Sequence, residues 1–234
     1  MSARCVFITG TDTGVGKTRV TLALMNALRD RGQRVAAMKP VATGAFMTDE
    51  GLHNEDAVLL RQYASVAMSY DQVNPYVFEM PSSPHLAARK AGVTIDMEVI
   101  RRRAEDIAQQ SDWLLVEGVG GWEVPLNERQ RVADLAHTLD MPVLLVVQLR
   151  MGALNHAFLT ATAIRRAGIE CCGWVANCID PDFAFHDDYI ETLKAGLDAP
   201  LLGILPTLAP GLPHGRERLQ FQPAFESWLS ETCV

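Results

Sequence analysis

Short runs rich in valine, leucine and isoleucine alternate along the chain with longer stretches of helical character. The apolar runs extend over Cys5 to Thr9, Val35 to Lys39, Trp113 to Glu117, Val143 to Val147, Gly173 to Ala176 and Leu201 to Leu205. Nearly all of them are continuously apolar rather than alternating, which is typical of strands that helices cover on both faces. The pattern predicts an α/β fold with a doubly wound, mostly parallel central sheet and helices on both faces.

The stretches between the apolar runs have helical character, and several end in stop signals. They extend roughly over Lys17 to Arg31, Glu55 to Ala64, Pro84 to Ala91, Asp96 to Gln110, Val132 to Leu139, Asn155 to Ala167 and His186 to Gly196. Gly32, Gly92 and Gly168 follow three of these stretches, as expected because glycine readily adopts the backbone conformation that ends a helix.

Three connecting segments are longer than plain connections between elements need. They are Thr43 to Asn54, Met80 to Pro84 and Gly118 to Gln130. Loops of this kind on an α/β scaffold often carry function. The segment from Pro206 to Pro223, rich in proline and glycine, is expected to be irregular, and a short amphipathic segment is expected around Phe225 to Leu229.

The length and composition are those of an ordinary globular protein. Hydrophobic residues make up 48% and charged residues 21% of the 234 residues, which excludes collagen-like, disordered and low-complexity classes. No internal repeat, charge block or linker divides the chain, so we expect residues 1–234 to form a single domain. The formal net charge of -7 repels a phosphate backbone, so no nucleic-acid partner is expected.

The five cysteines are predicted to be reduced thiols that serve as small buried side chains. Cys5, Cys171, Cys172, Cys178 and Cys233 form no CxxC pair, and a chain of this size needs no disulfide staples. The N-terminus leads into strand-like sequence without the features of a signal peptide. The longest apolar stretches are far below the roughly 18 residues that a membrane helix needs. We therefore expect a cytoplasmic protein with no membrane partner.

The segment Gly10-Thr11-Asp12-Thr13-Gly14-Val15-Gly16-Lys17-Thr18, called the phosphate loop below, joins the first strand to a helix. A glycine-containing turn at the start of a helix forms a nest of backbone N–H groups at the positive end of the helix dipole. Lys17 can reach the β and γ phosphates of a nucleotide, and the Thr18 hydroxyl can bind Mg²⁺. The loop therefore predicts that the chain binds a nucleoside triphosphate.

The loop departs from the strict GxxxxGK[ST] consensus, because Thr11 stands where the first glycine is expected and Gly10 lies one residue earlier. Partition and division-site ATPases carry Lys-Gly-Gly-Val-Gly-Lys-Thr here, with a signature lysine that acts across a dimer. Asp12 stands at that lysine position. The chain thus resembles their superfamily without being a standard member.

Two acids and a lysine outside the loop are candidates for the same chemistry. Glu117 ends an apolar strand before Gly118-Val119-Gly120-Gly121, and an acid at such a position in P-loop proteins helps to hold magnesium. For Asp56, spacing alone favours a simpler place in the first turn of a helix capped by Asn54. Lys39 ends the second strand, where it could neutralise a transferring phosphate or a carboxylate-like group, or simply extend into solvent.

Two further features carry weaker signals. The segment Arg150-Met151-Gly152-Ala153-Leu154-Asn155 opens a helix after a strand, and its N–H groups could take an anion, although every strand-to-helix turn has this potential. The 6 histidines show no metal-binding spacing, so no histidine-bound metal is expected.

Seven short motifs, in this order along the chain, together resemble the dethiobiotin synthetase family. They are Gly10-Thr11-Asp12-Thr13, Lys39-Pro40-Val41-Ala42-Thr43-Gly44, Asn74-Pro75-Tyr76, Ser83-Pro84-His85, Val116-Glu117-Gly118-Val119-Gly120-Gly121-Trp122, Asn155-His156-Ala157 and Gly173-Trp174-Val175-Ala176-Asn177. Each motif is short, but the ordered set spans nearly the whole chain and is specific. The resemblance implies the P-loop NTPase fold and an ATP-dependent cyclo-ligase of biotin synthesis.

The resemblance implies a complete reaction. The family carboxylates 7,8-diaminononanoate with CO₂ and uses ATP to close the ureido ring, which releases dethiobiotin, ADP and phosphate. The reaction passes through a carbamate and a carbamic-phosphoric anhydride, with Mg²⁺ and without an organic prosthetic group. A homodimer with the substrate site at the subunit interface is also implied.

The same resemblance implies the roles of individual residues. Lys39, assisted by Lys17, would stabilise the carbamate and the transferring phosphoryl group. The Mg²⁺ ligands would be Thr18, Asp56 and Glu117. The residues implied around the nucleotide are Gly14, Val15, Gly16, Lys17, Thr18, Arg19, Asp56, Glu117, Gly118, Val119, Gly120, Asn177, Cys178, Pro206, Thr207 and Leu208. Those implied for the substrate are Thr43 and, in the second subunit, Gly152, Ala153, Leu154 and Asn155.

Three positions depart from the family pattern. Gly14 replaces an acid that some members carry in the phosphate loop, Thr43 stands where serine is frequent, and the Pro210 to Gly215 stretch lacks an acidic adenine-side residue. These departures leave the reaction intact and leave nucleotide affinity and base selectivity open.

Two other functions fit a P-loop chain. The first is a switch or maturation ATPase that binds a partner protein, but Asp12 and the lack of a CxxC pair argue against it, and Lys39 with Thr43 would have no obvious role there. The second is an amidating domain of cobyrinate type. Such chains usually continue into a glutaminase domain, for which 234 residues leave no room.

Overall fold

The structure, a computed structural model, describes residues 3–207 and 218–231. The strands in these ranges are β1 (Arg4–Gly10), β2 (Val35–Met38), β3 (Val41–Thr43), β4 (Phe46–Thr48), β5 (Gly51–His53), β6 (Tyr76–Phe78), β7 (Trp113–Glu117), β8 (Val143–Gln148), β9 (Cys171–Asn177), β10 (Leu201–Leu205) and β11 (Gln220–Phe221). The helices are α1 (Lys17–Arg29), α2 (Glu55–Tyr63), α3 (Tyr70–Val73), α4 (Pro84–Ala91), α5 (Met97–Ala108), α6 (Val132–Leu139), α7 (Ala153–Arg166), α8 (His186–Gly196) and α9 (Ala224–Glu231).

A seven-stranded sheet lies at the centre, in the order β11-β10-β9-β8-β1-β7-β2. Its pairings are parallel except that of β11 with β10. All six strands predicted from the apolar runs belong to this sheet, and β2 and β7 are buried along their whole length. The predicted mostly parallel α/β sheet is therefore confirmed.

Helices cover both faces of the central sheet and enclose two separate cores. One core joins Val6 and Ile8 of β1 to Leu24 of α1, Leu60 of α2 and Phe225 of α9. The other core joins alternate residues of the same strands to α4, α5, α6, α7 and α8. Successive residues of a strand point to opposite faces, so continuously apolar strands are the ones that can fill both cores.

None of the described helices combines the length and apolar character that crossing a membrane requires.

The shortest elements differ from the sequence prediction. The Thr43 to Asn54 segment, predicted only as a long connection, holds the antiparallel β4–β5 hairpin, and β3 pairs with β6 in a second small sheet. The expectation of an irregular Pro206 to Pro223 segment is wrong at Gln220 and Phe221, which pair with β10; residues 208–217 lie outside the described residues. Strands of two or three residues are too short for any periodicity to reveal them.

Two helix starts place functional residues. Helix α2 begins after Asn54, whose side chain accepts hydrogen bonds from the backbone N–H groups of Asp56 and Ala57, as expected of a capping asparagine. Helix α1 begins directly after Gly16, whose φ of 85° is in the left-handed region. The first turns of α1 and α2 thus carry Lys17, Thr18 and Asp56 at fixed positions.

Candidate active site

The carboxyl ends of four strands bring the candidate residues to one edge of the central sheet. Strand β1 runs into the phosphate loop, Lys39 follows β2, Glu117 ends β7 and Asn177 ends β9. Met38 pairs with Val116 in the parallel register of β2 and β7, so the residues that follow them lie side by side. Open α/β sheets bind ligands at this edge.

The phosphate loop is held against the neighbouring strands. The backbone N–H of Thr11 donates to the carbonyl oxygen of Val146 in β8, at 3.2 Å. At Gly16, an added Cβ would lie 2.0 Å from Nδ2 of Asn177 in β9. The left-handed backbone and this close approach together require glycine at position 16. The loop conformation is therefore fixed by β8 and β9 as well as by its own glycines.

Lys17 lies between the phosphate loop and the glycine loop that follows β7. Its Nζ donates to the carbonyl oxygens of Asp12 at 3.0 Å and Gly120 at 2.6 Å, and the residue is only 6% exposed. Burial, together with the nearby Lys39 charge, lowers the pKa of Lys17 to about 8, although Glu117 and other acids oppose this shift. An anionic ligand at this position would stabilise the charged lysine.

Glu117 is the most buried charged group at this edge, with an exposed fraction of 0%. Its Oε1 accepts hydrogen bonds from Thr18 Oγ1 at 2.8 Å and from Lys39 Nζ at 2.5 Å. Its Oε2 accepts a hydrogen bond from Thr21 Oγ1 at 3.1 Å. A carboxylate without water persists in a fold only when its charge and lone pairs are matched in this way.

Lys39 bridges the two acids. Its Nζ lies 3.0 Å from Oδ2 of Asp56, in addition to its contact with Glu117. Burial opposes the charge of Lys39, but the two carboxylates outweigh this effect and raise its pKa. Burial likewise raises the pKa of Asp56, and the Lys39 charge outweighs it, so that the net shift is downward. Lys39 is thus a permanent cation between two anions, and Asp56 combines its place in the first turn of α2 with an ion pair.

A chain of hydrogen bonds outside the ion pair ties both of its partners to α3. The Asn74 side-chain amide donates to the Lys39 carbonyl oxygen at 2.7 Å. The Tyr70 hydroxyl donates to Oδ1 of Asn74 at 2.9 Å and accepts from the backbone N–H of Asn54 at 2.7 Å. Because Asn54 caps the helix that carries Asp56, this network fixes the backbone on both sides of the Lys39–Asp56 pair.

Thr18, Asp56 and Glu117 provide a set of donors that suits magnesium. All three offer oxygen atoms, which Mg²⁺ prefers. Thr18 Oγ1 donates to Glu117 and also lies close enough to Asp56 to help lower the pKa of that carboxyl, and the Lys39 charge already lies within 3.0 Å of both carboxylates. The location is therefore one that favours positive charge, and these residues fit a cation that completes its shell with phosphate oxygens and water.

The residues implied for the adenine side are only partly free to contact a base. Asn177 is fully buried; its Nδ2 donates to the Val15 carbonyl oxygen at 2.8 Å, and its Oδ1 accepts from Arg19 at 2.9 Å. Arg19 also donates to the Pro206 carbonyl oxygen at 2.9 Å. The Asn177 amide is therefore hydrogen-bonded to the phosphate loop at Val15 and, through Arg19, is connected to the start of the segment after β10.

The other residues implied for the adenine side lie close to the Asn177–Arg19 contact. The backbone N–H of Cys178 donates to the Leu205 carbonyl oxygen at 2.8 Å, and Pro206 and Thr207 are half-buried. Leu208 and the Pro210 to Gly215 stretch lie outside the described residues.

The residues implied for the substrate fall into two groups. Thr43 ends β3, and its carbonyl oxygen lies 3.4 Å from Nδ2 of Asn54, which places it beside the start of α2. In contrast, no hydrogen bond within the described residues joins Gly152, Ala153, Leu154 or Asn155 to the acid cluster. Their link to the site is Arg150, which lies 3.5 Å from Asp12 of the phosphate loop.

Sequence reasoning missed Thr21 and Tyr70, and quoted Asn74 only as part of a motif. Thr21 lies four residues after Lys17, so the helical repeat places both on one face of α1, and this spacing could have indicated a link to the site. Tyr70 contacts Asn74, four residues later at the end of the same short helix, and Asn54, 16 residues earlier before α2; the first spacing could have been noticed, but nothing local to Tyr70 indicated the second contact.

Comparisons with known proteins identify the family and the fold. A family model described as an AAA domain matches residues 4–211. Three relatives carry the name ATP-dependent dethiobiotin synthetase BioD. That of Xylella fastidiosa (strain 9a5c) is 44% identical, over 91% of this chain and 94% of the relative. That of Pseudomonas paraeruginosa (strain DSM 24068 / PA7) is 46% identical, over 88% and 91%, and BioD 1 of Escherichia coli (strain K12) is 45% identical, over 87% and 90%.

Solved structures with the same fold are more distant in sequence. The MinC:MinD cell division protein complex of Aquifex aeolicus has a TM-score of 0.57 at 19% identity, covering 98% of this chain and 86% of that chain. The signal recognition particle receptor FtsY of Elizabethkingia anophelis, in complex with GDP, has a TM-score of 0.59 at 14% identity, covering 100% and 65%. At these identities the similarity shows the fold alone.

Proposed function

Because the chain belongs to the ATP-dependent dethiobiotin synthetase family of P-loop proteins, we propose that it converts 7,8-diaminononanoate, CO₂ and ATP into dethiobiotin, ADP and phosphate. The observation that carries this proposal is the cluster beside the phosphate loop in which the buried Lys39 pairs with the buried Glu117 and the half-buried Asp56. A nucleotide-binding loop alone serves many functions. A lysine held permanently charged next to the transferring phosphate is suited to an enzyme that phosphorylates an anion.

The reaction divides into three steps. One substrate amine attacks CO₂ and forms a carbamate with loss of a proton. A carbamate oxygen then attacks the γ-phosphorus, the bond to ADP breaks, and a carbamic-phosphoric anhydride forms. The second amine attacks the anhydride carbon, closes the ureido ring and expels phosphate. The protein contributes mainly positioning and charge stabilisation, as in other phosphoryl transfers.

Lys39 and Lys17 act on different parts of the charge that develops. Lys39, next to β7, would neutralise the carbamate and the transferring phosphoryl group. Lys17 already spans the phosphate loop and the Gly120 carbonyl, and would move to the β and γ phosphates held by Gly14, Val15, Gly16 and Thr18. Gly118, Val119 and Gly120, in the loop after β7, would line the side of the phosphate site opposite the phosphate loop.

Thr18, Asp56 and Glu117 would hold the Mg²⁺ that accompanies ATP. When bound, this ion supplies positive charge to the phosphate oxygens. Glu117 and Asp56 would share their carboxylates between the ion and Lys39, which keeps both cations close to the reacting phosphate. No organic prosthetic group is needed for these steps.

Arg19, Asn177 and Cys178 would form the base side of the nucleotide site together with Pro206, Thr207 and Leu208. Support comes from the Asn177–Arg19–Pro206 contacts, which connect the phosphate loop to the segment after β10. Asn177 would contribute mainly by holding the base side of the site in shape, because its amide is already hydrogen-bonded to Val15 and Arg19.

The start of α7 supports a homodimer whose interface completes the substrate site. Met151, two residues before α7, and Leu159 within α7 are 70% and 62% exposed, and Asn155, one helical turn before Leu159, is exposed as well. Large apolar side chains at helical spacing on a surface indicate a partner. In this arrangement Gly152, Ala153, Leu154 and Asn155 of one subunit would bind the substrate carboxylate, while Thr43 of the other contacts the diamine end.

We place the enzyme in the cytoplasm, as a single domain.

The test is product formation by the purified protein. Mg-ATP and bicarbonate are supplied with and without 7,8-diaminononanoate, while dethiobiotin is followed by mass and phosphate by a coupled assay. One phosphate per dethiobiotin is expected. ATP hydrolysis that is indifferent to the diamine, with no dethiobiotin, would contradict the proposal and favour a switch ATPase.

A further inference from the structure

Thr21 is a fully buried polar residue in α1, one turn beyond Lys17. Its single hydroxyl proton is shared between two acceptors, the Lys17 carbonyl oxygen at 2.9 Å and Oε2 of Glu117 at 3.1 Å from Oγ1. The proposed function gives Thr21 no role. Its hydroxyl is nevertheless the second of two α1 side chains that contact the carboxylate of Glu117, after Thr18.

The two oxygens of Glu117 have different partners. Oε1 is shared by Thr18 and Lys39, whereas Oε2 has Thr21 as its one hydrogen-bond donor among the described residues. Without this hydroxyl a buried carboxylate oxygen would lose its partner, which is unfavourable enough to turn or displace the group. Threonine suits the position because its branched side chain has few rotamers.

We propose that Thr21 is a positioning residue that holds Oε2 of Glu117, so that Oε1 remains directed at Thr18, Lys39 and the cation. The role of the cation rests on the proposed function. The hydrogen bond acts only through Glu117, since Thr21 itself is shielded from any ligand. Partners behind a metal-binding side chain typically change metal affinity on the order of 10-fold or more when removed.

The test compares three variants. Thr21→Val removes the hydroxyl with little change of shape, Thr21→Ser retains it, and Thr192→Val is a control for the loss of a similar hydroxyl at an exposed helical position. Thr192 in α8 also donates to the carbonyl oxygen four residues earlier, at 2.7 Å, but contacts no carboxylate at the site. Binding of Mn²⁺ in the presence of a non-hydrolysable ATP analogue is measured by electron paramagnetic resonance, and folding by thermal unfolding.

The expected result is Mn²⁺ affinity on the order of 10-fold weaker in Thr21→Val, with wild-type affinity in Thr21→Ser and Thr192→Val. A folded Thr21→Val protein with unchanged Mn²⁺ affinity would overturn the proposal, even if it is less stable. If Thr21→Val does not fold, Thr21→Ala is measured with the same two outcomes. Dethiobiotin formation by the wild type is assayed separately, so failure of the proposed function remains distinguishable.

Discussion

At the scale of single residues, the site is organised by charge pairing in a region that water barely reaches. Lys39 and Glu117 are 5% and 0% exposed, so neither charge is stable there without the other. With Asp56 the cluster carries one net negative charge, which the nearby Lys17 balances. Before a ligand binds, the charges of these four residues therefore cancel.

Lys39→Met is expected to reduce dethiobiotin formation strongly, on the order of 100-fold or more, because a preorganised charge at the transferring group is lost. Binding of an ATP analogue should change little, since Lys17 and the phosphate loop remain. The variant should also be less stable by about 3 kcal/mol, because Glu117 is left buried without its partner. Turnover, analogue binding and denaturant unfolding are measured together.

The matched control for this prediction is Lys194→Met. Lys194 pairs with Glu191 on the exposed side of α8, and exposed pairs contribute little. It should behave as the wild type. Near-normal turnover in Lys39→Met would remove Lys39 from the catalytic role.

The thiol of Cys172 gives a prediction of pH dependence. Burial raises its pKa to about 12, although the Trp228 indole N–H opposes the shift. In unfolded chains the pKa of a cysteine is about 8.5. Alkylation is carried by the thiolate, so the folded rate should keep rising about tenfold per pH unit from pH 8 to 10, whereas the unfolded rate levels off near pH 9.

This prediction is checked by iodoacetamide labelling with peptide mapping, in buffer and in guanidinium. Cys171 and Cys5, whose pKa burial raises to about 11, should follow the same pattern. A plateau near pH 9 for Cys172 in the folded protein would contradict it.

At the scale of elements, α3 connects pieces that the central sheet does not. Tyr70 and Asn74 lie at the beginning and end of this short helix, and their hydrogen bonds reach Lys39 after β2 and Asn54 before α2. The ring of His53 in β5 packs edge-on against Tyr70, with centroids 3.9 Å apart. The two halves of the Lys39–Asp56 ion pair are therefore aligned by a third element.

Tyr70→Phe is expected to lower turnover and to reduce stability by about 1–3 kcal/mol, because Asn54 N–H and Asn74 Oδ1 lose a shared partner. The control is Tyr76→Phe. The Tyr76 hydroxyl accepts a backbone hydrogen bond from Asp96 at 3.0 Å, so this variant loses a bond of the same kind away from the ion pair. It should be less stable but retain turnover. Equal turnover in the two variants would show that the Tyr70 bridge does not align the site.

The long elements were predictable and the short ones were not, for a physical reason. Each of the six long strands fills two cores, so its composition is continuously apolar, and Gly32, Gly92 and Gly168 have φ between 66° and 76° as their places after helices require. By contrast, β3, β4, β5, β6 and β11 have two or three residues each and are set by tertiary contacts. The Thr43 to Asn54 hairpin could be predicted only as a long connection.

The same limit applies to the site. The phosphate loop is local in sequence, and its glycines and Lys17 predict its chemistry directly. The Lys39–Glu117 contact joins residues 78 positions apart and exists because β2 and β7 are parallel neighbours. Spacing alone therefore favoured a plain helix-start role for Asp56. The family resemblance implied a magnesium-binding role for it, and its ion pair with Lys39 was not predicted.

At the scale of the whole molecule, the exposed face of α7 is the surface expected to join two subunits. Leu159→Lys should shift the protein from dimer to monomer, because a charge at the centre of an apolar contact must be desolvated on association. Met47→Lys is the control, since Met47 is likewise an exposed apolar residue, at 70% against 62% for Leu159, but lies on the β4–β5 hairpin. Sedimentation velocity distinguishes the two, and a wild-type dimer that Leu159→Lys leaves intact would move the interface elsewhere.

The central claim is that this site transfers the γ-phosphoryl group of ATP to a carbamate oxygen. The direct measurement supplies ¹⁸O-labelled bicarbonate with ATP and 7,8-diaminononanoate, and determines the label in the released phosphate by mass spectrometry at short times. The account predicts dethiobiotin together with phosphate that carries one oxygen from the labelled carbonate. Dethiobiotin accompanied by unlabelled phosphate would contradict it, because the phosphate would then come from transfer to water.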